Sequence, residues 1–381
     1  MEQMQSDKHA ERKVTMQDIA DQCGVSKTTV SLALSRHPRI SKETVAKIEQ
    51  LAKDMGYSAA ANNAARRLAL QKYGRHLINR AVAVFIDHQY PTLPYFAQIV
   101  QGIMDVLAVK GFGLFMHYIP EYTEDGEGTP LSPLFDRGDI DGIIGIHDSF
   151  GELLQVLRQN KGFGNRPSIS LTNPVAGSSV VRADDRLGAY LAARHLLSLG
   201  HKDILLFTFI FAQDGRENER ITGACDAFRE YGLDPDQHLY TIPHYPGWLN
   251  TGGMQKIHYQ RMHITPYPLD ETHPFLQYLH DHPQITAILA PNDACALNAW
   301  QVLRAANISV PEQMSLVGFD DILITLDAEN GKYLTTVHVP LYEIGTTAAT
   351  LLLKRIFGEL AEDEEITLPV ELIDRGSTAP P

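Results

Sequence analysis

Hydrophobic positions along the chain follow two regimes. Between Val14 and Tyr57 they recur at three- and four-residue intervals in three short blocks: Ile19, Ala20 and Cys23, then Val30, Ala33 and Leu34, then Val45, Ile48, Leu51 and Ala52. That spacing gives each of three short helices one apolar stripe. Thr15 and Asp18 have capping-box spacing ahead of the first helix, Gly24 stops it, Ser26 caps a second predicted over Lys27–Ser35, and Ser41 caps a third. Ala20 is small where two helices must cross, Gly24 tolerates positive φ at the turn, and Val25 and Val30 pack the two helices together. The combination predicts a helix-turn-helix.

From Ala81 onward the period changes. The apolar runs AVAVFID, GLFMHYI, GIIGIHD, SISLT, DILLFTFIF, AILAPND and SLVGFDD alternate with amphipathic stretches at Tyr95–Val109, Arg186–Leu199, Arg220–Tyr231 and Ala294–Ala306. Strands alternating with helices predict parallel, doubly wound sheets, and this length fits two such lobes better than one. Ligands of such sheets bind at the carboxyl ends of the strands. The polar residues there are Asp87, Asp148, Thr172, Asn292, Asp293, Asp320 and Asp321.

Charge sharpens the division between the two regions. The chain has 381 residues and a formal net charge of -13, yet through Arg80 it holds 14 Lys and Arg against 8 Asp and Glu, and beyond Arg80 it holds 19 against 38. A basic head on an acidic body suggests a nucleic-acid reader at one end only, although an excess of six over 80 residues is also ordinary fluctuation. With 44% apolar and 21% charged residues the chain can bury cores. Its apolar runs are short, its N-terminus is charged, and its three cysteines, Cys23, Cys225 and Cys295, lack metal or disulfide spacing. These features predict a cytoplasmic protein with no membrane segment and no disulfide framework. The signatures GxSxG, GxxxxGK[ST] and HEXXH are missing, as is GxGxxG after the first strand. The adjacent acids Asp184-Asp185 and Asp320-Asp321 are poor dyads because neighbouring side chains on an extended segment point apart. No catalytic residue, cofactor or metal is therefore assigned.

The segment VTMQDIADQCGVSKTTVSLALSRHPRISKETVAKIEQLAKDMGY resembles the DNA-binding head of the lactose/galactose repressor family, close to V-T-x-x-D-[IV]-A-x-x-[AC]-G-V-S-x-x-T-V-S. The resemblance implies that the second helix enters the major groove of double-stranded operator DNA. Lys27, Thr28 and Leu32 would read bases there, while Ser26, Thr29 and Ser31 would contact phosphates. Leu32 stands where a polar side chain is often found and would read by apolar contact. In the following linker the resemblance implies a hinge helix, with Leu68 entering the minor groove. The usual Y-x-P-N lead-in is missing and Leu68 lies late, so an ordinary linker leucine is the other reading.

The body resembles the same family through DIDGIIGI, ADDRLGAYLAARHLLSLGHKDILLF, ERITGACDAF, ILAPNDACALNAWQVLRAANISVPEQMSLVGFDD, LTTVHVPLYEIGTTAATLLL and LIDRGSTAPP, in order. This implies an all-α helix-turn-helix head on an α/β body, a two-lobed periplasmic-binding-protein-like (type I) clamp with three crossings between lobes. The expected parts are a flexible terminus (1–13), the reading head (14–58), a hinge (59–80), and an effector-binding and dimerisation body (81–377). Within the body, one lobe takes about 81–184 and 340–366, and the other about 185–338 and 367–377. At matching positions Arg220, Asn292 and Asp320 would line the effector cleft, with Thr172 beside them and Trp248 stacking on a sugar face. The alternatives are a cap for Asp320, a turn for Asn292, and an exposed or dimer-packed Trp248. Arg220 and Asp320, each at the end of an apolar element, are expected to be removable with little effect on folding. His238–His282 departs from the family pattern and holds seven of the sixteen histidines, including His273 and the HDH at 280–282, without helical metal spacing. It is read as a remodelled cleft mouth. The whole implies a homodimeric, sequence-specific regulator controlled by a small polar effector such as a sugar. The alternative is a sugar receptor or enzyme of the same clamp fold without a DNA role.

Overall fold

Reciprocal capping starts the first helix. The Thr15 backbone N–H donates to Asp18 Oδ2 at 2.7 Å, and the Asp18 N–H donates to Thr15 Oγ1 at 3.3 Å. The computed structural model describes residues 14–34, 40–55, 57, 78–86, 94–118, 131–146, 150–160, 162–171, 173–209, 216–244, 273–322 and 333–381, in two units divided after Asn79. In the first unit, α1 (Met16–Cys23) ends at Gly24, whose φ of 67° is the left-handed conformation that glycine adopts without strain. α2 (Lys27–Leu34) and α3 (Lys42–Asp54) follow. Ile19, Ala20, Val30, Ala33, Ile48 and Ala52 close a small core among the three helices.

The second unit holds two six-stranded sheets. Its first half runs β1 (Ala81–Ile86), α4 (Pro94–Val109), β2 (Gly113–Tyr118), β3 (Gly142–Ile146), α5 (Phe150–Gln159), β4 (Ser168–Ser170) and β5 (Ser179–Ala183). Then come α6 (Asp185–Leu199), β6 (Ile204–Phe209), α7 (Arg216–Glu230), β7 (Leu239–His244), α8 (Pro274–Asp281), β8 (Ala287–Leu289), α9 (Asp293–Ala305) and β9 (Ser315–Asp320). β10 (Thr335–His338), α10 (Leu341–Phe357), β11 (Glu365–Leu368) and β12 (Glu371–Ile373) complete it. The sheet orders are β11-β5-β4-β3-β1-β2 and β12-β10-β9-β8-β6-β7.

Both faces of each sheet are covered, which is why β3 and β9 are buried along their whole length instead of alternating. Val82, Val84 and Ile144 face α4 and α10, whereas Phe85 and Ile143 face Phe150, Leu154 and Leu157 of α5. In the second sheet Leu206, Val317 and Phe319 face α6 and α7, while Leu205, Ile288 and Leu316 face α8 and α9. α4 and α10 cross closely because glycines meet backbone. A Cβ on Gly102 would fall on the Tyr342 carbonyl oxygen, and one on Gly345 would fall on that of Ile99.

All strand pairs are parallel except β10 with β12, which is antiparallel, so the second sheet departs from the purely parallel expectation at one edge. The exception follows from connectivity. Only Pro369 and Val370 separate β11 of the first sheet from β12 of the second, so β12 enters its sheet at the end where β10 finishes, His338 beside Glu371, and runs back along it. The chain passes between sheets three times: after β5, between β10 and α10, and between β11 and β12. The first and third passages lie side by side, joined by Asp184 N–H donating to the Leu368 carbonyl at 3.0 Å. The C-terminal tail is latched to the second sheet by buried His201, whose Nε2 lies 2.8 Å from the Ala379 carbonyl oxygen and whose Nδ1 lies 2.7 Å from Thr286 Oγ1.

Candidate functional site

In the first unit, α2 turns Val30 and Ala33 into the core, which directs the opposite sector outward. Lys27 and Thr28 are exposed on that sector, with half-buried Ser31 and Leu32 one turn on. Ser26 Oγ accepts the Thr29 N–H at 3.0 Å and lies 2.9 Å from Thr29 Oγ1, so these two hydroxyls already form the helix cap. A hydroxyl in a cap keeps capacity for a second bond, and the N–H groups of a first helical turn attract anions. Lys42 is exposed in the first turn of α3. Leu68 and the neighbouring Arg66 and Arg67 lie outside the described residues.

In the second unit, the carboxyl end of the second sheet gathers Arg220, Asn292 and Asp320. The α7 face of the sheet brings Arg220 over Phe319, with the guanidinium 3.7 Å from the ring centroid. Its Nη1 donates to the carbonyl of Pro291, one residue before Asn292, and Phe319 is one residue before Asp320. Asn292 caps α9 through its Oδ1, which accepts the Cys295 N–H at 2.8 Å. Its alternative reading as a turn residue is thereby occupied by a cap, and the amide nitrogen remains for other partners.

Asp320 is buried and has φ of 106°; Asp321 has φ of 54°. Two successive non-glycine residues at positive φ are strained, and such strain persists only where surrounding contacts fix it. Here Asp321 Oδ1 accepts Arg375 Nη2 at 2.6 Å, and Oδ2 lies 3.1 Å from His338 Nδ1. Asp293 fixes the next residue. Its Oδ2 accepts the Ile322 N–H at 2.9 Å, and its Oδ1 accepts the Thr336 hydroxyl on β10 at 2.5 Å. Burial pushes the Asp293 carboxyl up to about 8, with repulsion from Asp320 and Asp321 adding and the Thr336 and Ile322 hydrogen bonds opposing. Burial also pushes the Cys295 thiol far above its ordinary value; Asp320 adds to this and Arg220 opposes it.

Arg220 departs from its expected setting. It lies in the second turn of α7 and not at an element's end, and its Nε and Nη2 both meet Asp185 Oδ1 at 2.7 Å. The side chains of Arg220 and Asp185 are 13% and 2% exposed, a buried ion pair in place of a wet, dispensable charge. Sequence reasoning named Asp185 only as one of two adjacent acids ill placed for a catalytic dyad, not as a site residue. Nothing within a few positions of it signals a partner 35 residues away. The adjacent acids do diverge, since Asp184 caps α6 on the Leu187 N–H while Asp185 turns to Arg220.

Thr172 and Trp248 lie outside the described residues, as do Asp87, Asp148 and most of 238–282. Among the described histidines of that stretch, His273 is a fully buried helix cap whose Nδ1 accepts the Phe275 N–H, and His282 stacks on Tyr278. Among the described residues no three His, Cys, Asp or Glu side chains gather as metal ligands. No helix among them is long and apolar enough to cross a membrane.

Comparison with known proteins gives two family matches. Residues 15–59 match the bacterial regulatory proteins of the lacI family, and residues 193–378 match a periplasmic binding protein-like domain. The HTH-type transcriptional regulator DegA of Bacillus subtilis strain 168 is 30% identical over 373 residues, spanning 97% of this chain and 99% of its own. A LacI family transcriptional regulator from Enterococcus faecium with bound ribose superposes with a TM-score of 0.60 at 30% identity, over 79% of this chain and 99% of that one. The lac repressor dimer bound to operator shares the fold at 20% identity, with a TM-score of 0.57 over 97% of this chain and all of that one.

Proposed function

The chain belongs to the lacI family of bacterial regulatory proteins, and from that premise we propose that it is a homodimeric transcriptional regulator, most simply a repressor, that binds operator DNA and changes its DNA affinity when a sugar occupies the cleft of its body. The observation that carries this reading is the convergence of Arg220, Asn292 and Asp320 at the carboxyl end of one sheet, in a chain that also carries a helix-turn-helix. Lys27, Thr28 and Leu32 read base edges. Ser26, Thr29 and Ser31 hold the backbone, and Leu68 opens a minor-groove step. Arg220, Asn292 and Asp320 bind ligand hydroxyls, with Thr172 and Trp248 completing the site. The Enterococcus relative, solved with ribose, makes ribose the first probe.

The dimer forms through the first lobe. Met104 and Val109 of α4, Met116 and Tyr118 of β2, and Tyr342 and Phe357 of α10 are large apolar side chains left exposed, more than scattered surface apolars require. A second copy covers them. The protein works in the cytoplasm, where its DNA is, and it performs no catalytic step. Closure of the lobes on ligand acts through the passages between sheets, one of which, at Val339-Pro340, directly follows the β10 strand tied to Asp293.

The test is selection of bound sequences from random DNA by the full-length protein, then fluorescence anisotropy on the winner with ribose and a panel of neutral sugars. A selected operator, with affinity shifted at least tenfold by one sugar and unshifted in Asp320→Asn, is the expected result. Asparagine tolerates positive φ, so that variant keeps the backbone. Failure to enrich any sequence overturns the reading.

A further inference from the structure

The setting of Arg220 determines which ligands its cleft can accept. Three of its N–H donors are committed, two to Asp185 Oδ1 and one to the Pro291 carbonyl, and one face of the guanidinium lies on Phe319. A guanidinium has five such donors, so one on each terminal nitrogen remains. Those two can serve a hydroxyl, but the charge behind them is already cancelled by a carboxylate oxygen at 2.7 Å inside a buried pair. Asp185 uses only Oδ1 for this; Oδ2 is buried and receives no hydrogen bond from the described residues, which leaves an acceptor requiring a donor. Asp320 lies at the same carboxyl end of the sheet, followed by Asp321, whose Oδ1 accepts Arg375 Nη2.

We propose that Asp185 sets the charge class of the ligand. By holding Arg220 in a neutral pair, it admits uncharged, hydroxyl-rich molecules and rejects phosphorylated and carboxylate-bearing ones. This rests on the reading of the cleft as the effector site. A neutral polyol supplies hydroxyl protons to the carboxylates and accepts from the two spare guanidinium N–H groups. Among the described residues at this end of the sheet, a phosphate meets Arg220 already paired and the Asp185 carboxylate beside it, the repulsive half of specificity. An arginine without Asp185 would be an ordinary phosphate clamp.

The experiment is calorimetry of the full-length protein with ribose, ribose 5-phosphate and inorganic phosphate, on wild type, Asp185→Asn and Asp185→Asn/Arg220→Gln. Asp185→Ser serves in both backgrounds if the asparagine variant fails to fold by circular dichroism. Wild type should not bind either phosphate measurably. Removing the Asp185 charge should raise affinity for both at least tenfold, about 1.4 kcal/mol, and removing Arg220 as well should abolish the gain. The proposal is overturned if wild type binds ribose 5-phosphate as tightly as ribose, binds inorganic phosphate through Arg220, or gains nothing when Asp185 is neutralised. Operator affinity on the same preparations separates this from the functional reading. A phosphate gain that needs Arg220, with no sugar altering operator binding, keeps the charge filter and removes the effector role. A sugar-dependent operator shift without the gain removes the filter alone.

Discussion

Replacing Arg220 by alanine should destabilise the body strongly. The substitution leaves Asp185, 2% exposed, as a buried carboxylate with no guanidinium beside it, and it removes a cation stacked 3.7 Å from the Phe319 centroid. Breaking a buried pair by removing one partner costs about 3 to 5 kcal/mol, and the stacking lies inside that figure because the same group makes both contacts. At about 2 °C per kcal/mol for a body of this size, the melting point should fall on the order of 10 °C. Asp185→Leu/Arg220→Met keeps the volume and leaves no charge unpaired, so it should recover at least half of the loss. Urea unfolding followed by circular dichroism on wild type, Arg220→Ala, Asp185→Leu, Arg220→Met and the double variant measures the loss and closes the cycle. An Arg220→Ala midpoint equal to wild type, or a double variant no more stable than Arg220→Ala, would refute the buried-pair argument.

Asp293 gives a pH prediction. Its folded value is raised to about 8 from 3.8, so the stability it contributes is complete below the unfolded value and is lost as pH rises toward and through about 8. Asp293→Asn, which mimics the neutral form, should flatten that decline, and an unchanged pH profile of the urea midpoint would count against it. Lys27→Ala and Thr28→Ala should relax base preference on selected operator variants, whereas Lys42→Ala, lost from both subunits of the dimer, should weaken all sequences alike and lower the salt slope by about 2. Met104→Asp with Phe357→Glu should shift sedimentation from dimer to monomer at micromolar protein and weaken operator binding with it; a persisting dimer would place the interface elsewhere.

The parts legible in the sequence are those whose causes are local. Thr15, Asp18 and Gly24 act within three to five residues of the groups they satisfy, so the caps of the head can be read directly. The runs at β1, β3 and β9 are conspicuous because burial on both faces makes them continuously apolar. β11 and β12 have no such run; they are short edge strands, exposed or half-exposed, and their pairing is set by where the chain crosses between sheets. The candidate cleft divides the same way. Asn292 and Asp320 follow apolar runs and are visible as strand-end residues, whereas the partner of Arg220 depends on how α6 and α7 lie against each other. The left-handed turn at Asp320 and Asp321 is likewise imposed from a distance, by Asp293, His338 and Arg375.

Coupling between the DNA-reading head and the ligand cleft is the central claim, and linkage makes it measurable from the ligand side. If two bound sugars, one per subunit, change operator affinity by some factor, operator must change the product of the two sugar affinities by the same factor, because both paths close one thermodynamic cycle. Calorimetric titration of ribose, or of whichever neutral sugar shifts the operator complex, into the full-length protein with and without saturating operator gives that factor directly. Two sugar dissociation constants whose ratio, squared for the two subunits, equals the anisotropy ratio of at least tenfold are the predicted result. Equal sugar affinities with and without operator would contradict the account.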